Sequence, residues 1–214
     1  LVLILSKHPK VSIKHLCATK NLGKRINSFD KRIKKKLPKI THTSKIIWSD
    51  LDVMFLSLPN GEAQKFIKKN FTKNFKLKFI DLSADFRIDN TKIYETNYKI
   101  KHKAKKLINK SFYSIPELNN KDINKYRIIS NPGCYPTSIQ LPLIPIIKKD
   151  QIEINDITID SKSGYSGAGK NFERKFSHKN LYHSSFAYNV KNHRHICEID
   201  QQLIKLTKKN FKYT

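Results

Sequence analysis

The sequence predicts an α/β protein built on a parallel sheet. Two observations carry the prediction. Short apolar runs recur, each stopped by turn residues: Asp52-Val53-Met54-Phe55-Leu56-Ser57, Lys78-Phe79-Ile80-Asp81-Leu82 and Tyr126-Arg127-Ile128-Ile129-Ser130. Segments of helical periodicity lie between and after them, and strands that alternate with helices pair in parallel through right-handed crossovers.

Taken in order, Leu1 to His8 reads as the end of a helix closed by Pro9, and Val11 to Ala18 alternates as a strand does, running into Thr19-Lys20. Lys31-Arg32-Ile33-Lys34-Lys35-Lys36 is a dense basic run beside Pro38, a loop or frayed helix. The strand Asp52 to Ser57 is stopped by Leu58-Pro59-Asn60-Gly61, and Glu62 to Phe71 then reads as a helix. Two further strands follow, Lys78 to Leu82 and Tyr126 to Ser130, the second leading directly into Asn131-Pro132-Gly133-Cys134. A helix is expected from Cys134 to about Lys149, with Pro136 acceptable in its first turn. Pro142 and Pro145 each remove an amide donor and crowd the preceding turn, so this helix is expected to kink or finish early. Ile152 to Ser161 alternates like a strand, Gly164, Gly167 and Gly169 open a loop, Ile196 to Leu206 reads as helix and Phe211 to Thr214 as strand. The change of texture near residue 131 sets the expected domain boundary, 1–130 against 131–214.

A chain of 214 residues can build one large domain or two small ones. The net charge of +26 comes from 43 Lys and Arg against 17 Asp and Glu. Such charge ordinarily raises nucleic-acid binding, but these cations are mostly lysines spread along the whole chain, which reads as solvated faces that steer anionic substrates. Three cysteines without paired spacing suggest neither a disulfide framework nor a zinc site and fit a reducing cytosol. The apolar opening Leu1 to Leu5 is cut off by Ser6-Lys7-His8-Pro9, too short for a membrane span and without the basic start of a signal peptide, so a soluble protein is expected.

Cys134 follows a strand and a Pro-Gly turn at a predicted helix start, where amides and the helix dipole favour a thiolate and could hold a developing oxyanion. Cys17 and Cys197 read as small packing residues. His193-Arg194-His195 offers acid/base groups, and Glu198, three residues on, could orient an imidazole. The i, i+2 histidine spacing without a further ligand cluster points away from a metal. Arg194 can bind a phosphate or carboxylate bidentately. Ser163-Gly164-Tyr165-Ser166-Gly167-Ala168-Gly169-Lys170 is a glycine-rich loop that matches neither a Walker loop nor the dinucleotide fingerprint.

Six segments occur in order: Phe55-Leu-Ser-Leu-Pro-Asn-Gly61, Ile80-Asp-Leu-Ser-Ala-Asp-Phe-Arg87, Tyr113-Ser-Ile-Pro-Glu-Leu118, Asn131-Pro-Gly-Cys-Tyr-Pro-Thr137, Ser163-Gly-Tyr-Ser-Gly-Ala-Gly169 and His193-Arg-His195. Together they resemble the N-acetyl-gamma-glutamyl-phosphate reductases, within the wider semialdehyde dehydrogenase group. The resemblance implies an NADP-binding Rossmann domain over 1–130, its first strand and Gly-rich turn expected before Leu1. A mixed-sheet α+β catalytic and oligomerisation domain over 131–214 is expected to continue past Thr214. It departs from the family's usual residues at Cys197, Tyr165 and Pro142.

The implied chemistry is NADPH-dependent reduction of an acyl phosphate in arginine biosynthesis. Cys134 attacks and expels phosphate, and the thioacyl enzyme accepts hydride to give the semialdehyde. The resemblance makes His195, or alternatively His193, the acid/base group. Arg87 and Arg194 become substrate cations, with Asn131 near the reacting carbon. Leu58, Pro59, Asn60, Gly61, Ser166 and Gly167 would line the cofactor path. Thr19 and Lys20, at a strand end where an acidic residue would select NAD, favour NADP(H). A homo-oligomer is implied. The aspartate enzyme of the same group, a nucleic-acid-binding module and a cysteine hydrolase are the competing readings.

Overall fold

The computed structural model describes residues 1–165, 167, 184–189 and 193–208. The chain forms two compact units, one of Leu1–Met54 with Asn70–Leu77, the other of Phe55–Lys69 with the described residues from Lys78 onward.

In the first unit, α1 (Val2–Lys7) precedes two short parallel strands, β1 (Leu16–Cys17) and β2 (Ile40–Thr41), with Leu16 opposite Ile40. The expected strand over residues 11–18 is cut to two residues. Its register explains why: continued backwards, Lys14 would face Pro38, which has no amide to donate. The basic run 31–36 is turn and coil, pinned by buried Ile33 and Leu37.

The rest of the chain alternates strand and helix. β3 (Val53–Leu56), α2 (Glu62–Asn70), β4 (Lys78–Asp81), α3 (Thr91–Tyr98), β5 (Ser111–Tyr113), α4 (Pro116–Asn119), β6 (Ile128–Ser130), α5 (Cys134–Lys148) and α6 (Ile196–Thr207) follow in order. The sheet runs β3-β4-β6-β5. β6 pairs in parallel with both β4 and β5, as the apolar runs predicted. Phe79 and Ile128 are fully buried within it, as befits strands covered on both faces.

Sequence patterning did not find α3, β5 or α4. α3 is polar on most of its surface and is set by its cap: the Asn90 side chain accepts from the amides of Lys92 and Ile93 at 2.9 and 3.3 Å. The strand expected over Ile152 to Ser161 does not form; the segment is bend and coil with one bridge residue, Ile157. The expected strand Phe211 to Thr214 lies outside the described residues.

α5 does not finish early: it runs unbroken through Pro142 and Pro145. Both prolines are exposed, and the carbonyls they leave unpaired belong to Ser138 and Leu141, also exposed, so water can take them. The opposite face holds the helix in place. Ile144 and Ile147 of α5 form a buried cluster with Ile199 and Leu203 of α6, each side chain contributing about 1.5–3 kcal/mol on burial, against about 3 kcal/mol for an interior proline.

Candidate active site

The register of β4, β6 and β5 sets Asp81, Ser130 and Tyr113 side by side, so all three strands end at one edge of the sheet. In open α/β sheets this carboxyl edge is where ligands bind. The segments singled out in the sequence leave the sheet here: Leu82 to Arg87 after β4 and Asn131 to Cys134 after β6.

The loop after β4 is a chain of local bonds. Asp81 accepts from the amide and hydroxyl of Ser83 at 2.9 and 3.0 Å, and the Ser83 hydroxyl accepts from the Asp85 amide. Burial pushes the Asp81 carboxyl up to about 6. Buried Asp85 in turn caps α2, accepting from the amides of Gly61 at 2.7 Å and Gln64 at 2.9 Å and from the Tyr94 hydroxyl at 2.6 Å. Asn60 accepts from the Ala84 amide. Leu58 and Pro59 are exposed, whereas the Asn60 side-chain oxygen and the Gly61 amide are bonded to the loop after β4.

Arg87 ends this loop almost fully buried. Its Nε donates to the Asn131 carbonyl at 2.7 Å, its Nη2 to the Leu82 carbonyl at 3.1 Å, and its Nη1 lies 3.5 Å from Glu198 Oε2. Glu198, with no exposed surface, accepts from the Gly133 amide at 2.9 Å and the Tyr113 hydroxyl at 2.8 Å. Gln140 donates to that hydroxyl at 3.1 Å. Burial pushes the Glu198 carboxyl upward, while Arg87 and these donors oppose the shift. One expectation is corrected here. Glu198 does not orient an imidazole: among the described residues its bonds go to Arg87, Gly133 and Tyr113. The Gly133 amide, held by Glu198, is not offered to a substrate oxyanion.

Cys134 is exposed at the first position of α5. The histidines flank it through its neighbours. His195 is buried against Gly133, and the His193 ring stands edge-on to Tyr135 with centroids 5.2 Å apart. The two imidazoles are 4.9 Å apart, and His193 Nδ1 accepts from the His195 amide at 3.2 Å. Burial, with the nearby His193, Arg87 and Arg194, lowers His195 to about 3, so it is neutral at ordinary pH. Burial and Arg194 lower His193 as well. Among the described residues, buried His195 Nδ1 has no hydrogen-bond partner. Tyr188, pushed up to about 12 by burial and its bond to Tyr135, lies on the same side, close enough to feel the Cys134 charge.

Among the remaining residues chosen from the sequence, Asn131 and Arg194 are exposed. Thr19 and Lys20 lie exposed in the first unit just past β1, in a stretch from Ala18 to Arg25 that holds no acidic residue. Gly167 is exposed and its amide bonds the Gly164 carbonyl at 3.0 Å; Ser166 lies outside the described residues. Tyr113, Gln140 and Tyr188 were missed, since nothing in a single sequence marks side chains that meet only across the fold.

Comparison with known proteins finds two family matches along the chain. Residues 1–126 match the semialdehyde dehydrogenase NAD binding domain, and residues 134–214 the semialdehyde dehydrogenase dimerisation domain. The chain belongs to the semialdehyde dehydrogenase family. Its relatives in that family include the N-acetyl-gamma-glutamyl-phosphate reductase of Brachyspira hyodysenteriae, 38% identical over 221 residues that cover 100% of this chain and 62% of the relative. That of Ehrlichia canis is 40% identical over 205 residues, covering 95% and 58%. A probable chloroplastic N-acetyl-gamma-glutamyl-phosphate reductase of rice, Oryza sativa, is 38% identical over 204 residues, covering 95% and 48%. This semialdehyde dehydrogenase chain therefore spans less than two thirds of these relatives' length. Aspartate semialdehyde dehydrogenase II of Vibrio cholerae, solved with ASA, shares the fold at a TM-score of 0.64 and 16% identity, over 98% of this chain and 62% of that one.

Proposed function

We propose that the protein acts as an N-acetyl-gamma-glutamyl-phosphate reductase, converting N-acetyl-glutamyl 5-phosphate to N-acetylglutamate 5-semialdehyde in arginine biosynthesis. The observation that carries the reading is Cys134, exposed at the start of α5 on the carboxyl edge of the sheet, with His195 against the residue before it and His193 beside the residue after. The names and identities of the relatives support the substrate assignment.

In this mechanism the Cys134 sulfur attacks the acyl carbon, the bond to the phosphate oxygen breaks and phosphate leaves, giving a thioester. Neutral His195 accepts the thiol proton as sulfur attacks and returns it to the sulfur when the aldehyde is released; His193 is the second choice. With the Gly133 amide engaged, the amides of Cys134 and Tyr135 in the first turn of α5 are the proposed oxyanion donors, Pro136 having none. Exposed Arg194 and Asn131 are the proposed substrate contacts; Arg87 contributes positive charge from below, through its hold on the Asn131 carbonyl.

NADPH, when bound, supplies the hydride. Residues present fit such a cofactor: Leu58 and Pro59 offer exposed apolar surface beyond β3, with Asn60 and Gly61 holding the loop's shape. The acid-free segment carrying Thr19 and Lys20 suits a 2′-phosphate. Gly167 and Ser166 complete the proposed path. A domain boundary at residue 131, a homo-oligomer built through the second domain and a cytosolic setting, in keeping with free cysteines, belong to the same reading.

The test is turnover of the intact enzyme in the phosphate-dependent oxidation of N-acetylglutamate semialdehyde. Cys134→Ser is expected to abolish it, and retained wild-type turnover sinks the nucleophile assignment. Equal efficiency on aspartate semialdehyde would reassign the substrate, and equal efficiency with NAD would remove the argument from Lys20.

A further inference from the structure

The Asn131–Gly133 turn that presents Cys134 is gripped at both ends by one buried ion pair. Arg87 Nε holds the Asn131 carbonyl at 2.7 Å, Glu198 Oε1 holds the Gly133 amide at 2.9 Å, and Arg87 and Glu198 meet at 3.5 Å. The four groups close a ring around buried Pro132. We propose that Glu198 is a positioning residue: with Arg87 it clamps this turn, and Tyr113 fixes the clamp's shape, so that Cys134 is held in register with His195.

Three features argue for a geometric role. A buried ion pair adds little net stability compared with apolar packing, so what this one contributes is the geometry it imposes. Both partners are tied to the sheet edge independently of each other, Arg87 through the Leu82 carbonyl and Glu198 through Tyr113, whose hydroxyl is itself held by Gln140. The clamp therefore transmits the position of β4 and β5 to the turn after β6. Finally, the clearance is small. An added Cβ on Gly133 would lie 2.8 Å from His195 Nε2 and 3.0 Å from Arg87 Nη1, so any shift of the turn moves the residue beside the nucleophile against the imidazole.

The kinetic side of this inference rests on the function proposed above, so the test has a second readout that does not. Wild type, Glu198→Gln and Tyr113→Phe are compared in the intact protein. The pH profile of iodoacetamide modification is followed by peptide mass spectrometry at Cys134, with exposed Cys17 in the first unit as internal control. In Glu198→Gln the unbalanced Arg87 charge is expected to move the Cys134 profile to lower pH by about half a unit or more, with Cys17 unchanged. Turnover is expected to fall about tenfold to a hundredfold while KM changes little, because a misplaced nucleophile costs rate rather than binding. Tyr113→Phe deletes one oxygen and no charge, and decides the matter if Glu198→Gln does not fold; it is expected to lower kcat in the same pattern by a smaller factor. Unchanged Cys134 profiles and kcat in the folded variants overturn the proposal. So does an equal change at Cys17, which reports general loosening. If the wild type fails to turn over the acyl phosphate's semialdehyde, the function above fails, and the Cys134 profiles still decide the clamp.

Discussion

His195 packs so tightly on Gly133 that a methyl group added to the glycine would lie 2.8 Å from the imidazole Nε2. The glycine's own backbone, at φ −68° and ψ 166°, is one that any residue adopts. Its requirement is therefore space. Gly133→Ala is expected to push His195 or the turn aside, costing about 1–3 kcal/mol of stability and about a hundredfold in kcat. Urea unfolding and steady-state kinetics read the two effects, and an alanine variant with wild-type kcat would show that the close approach has no catalytic weight.

The same burial gives the protein a pH dependence. His195 is lowered from 6.5 to about 3 in the fold, so between those values the unfolded chain binds a proton that the folded chain refuses. Its contribution is fully present above 6.5 and is lost as pH falls, at about 1.4 kcal/mol per unit. Asp81, raised from 3.8 to about 6 by burial, has the opposite slope below 6, so a variant comparison is needed. Between about pH 7.5 and pH 5, His195→Asn is expected to lose about 2 kcal/mol less than wild type. Equal losses in urea titrations would rule out His195 as a source of the slope.

The parallel sheet was legible because its strands are apolar on both faces and bounded by turn residues, as Phe79 and Ile128 illustrate. β1 was read too long because the limit lies in its partner, Pro38, and a register between distant segments leaves no periodic mark. The candidate site was legible for a related reason: Cys134 and its turn are contiguous in sequence, and so are His193 to His195. Glu198 was misread by that same reliance on nearness. Three residues after His195 it suggested an imidazole partner, yet its contacts are Arg87 and Tyr113, 111 and 85 positions away. A carboxylate beside Ile199 on the buried face of α6 was the available hint that it answers to a buried cation.

Asp85 is expected to matter more for stability than its place in a loop suggests. Its carboxylate satisfies two amides at the start of α2 and the buried Tyr94 hydroxyl. Asp85→Ala removes the cap and leaves that hydroxyl's proton without its acceptor, Gln64 Nε2 only donating to its oxygen, for an expected loss of about 3 kcal/mol. Tyr94→Phe removes one donor and leaves the cap, and is expected to cost about 1 kcal/mol. Denaturant midpoints order the two, and equal effects would mean that the hydroxyl contact, not the helix cap, is what Asp85 contributes.

α5 should become more stable when an interior proline is replaced on its exposed face. Pro142 donates nothing to the Ser138 carbonyl and stands one turn before Ile146, while the buried side is fixed by Ile144 and Ile147 against α6. Pro142→Ala restores an amide donor at a solvated position without disturbing that cluster. Interior proline costs about 3 kcal/mol in a helix, and the greater freedom of the unfolded chain returns about 1 kcal/mol of this, leaving a gain of about 2 kcal/mol. For a chain of this size the melting temperature should rise by about 4–8 °C. Pro136 provides the contrast, since it sits in the first turn, where no helical amide bond is missing, and it is buried. Pro136→Ala is expected to lower the melting temperature. Should both substitutions stabilise alike, the effect would come from the unfolded chain rather than from the hydrogen bond that Pro142 withholds.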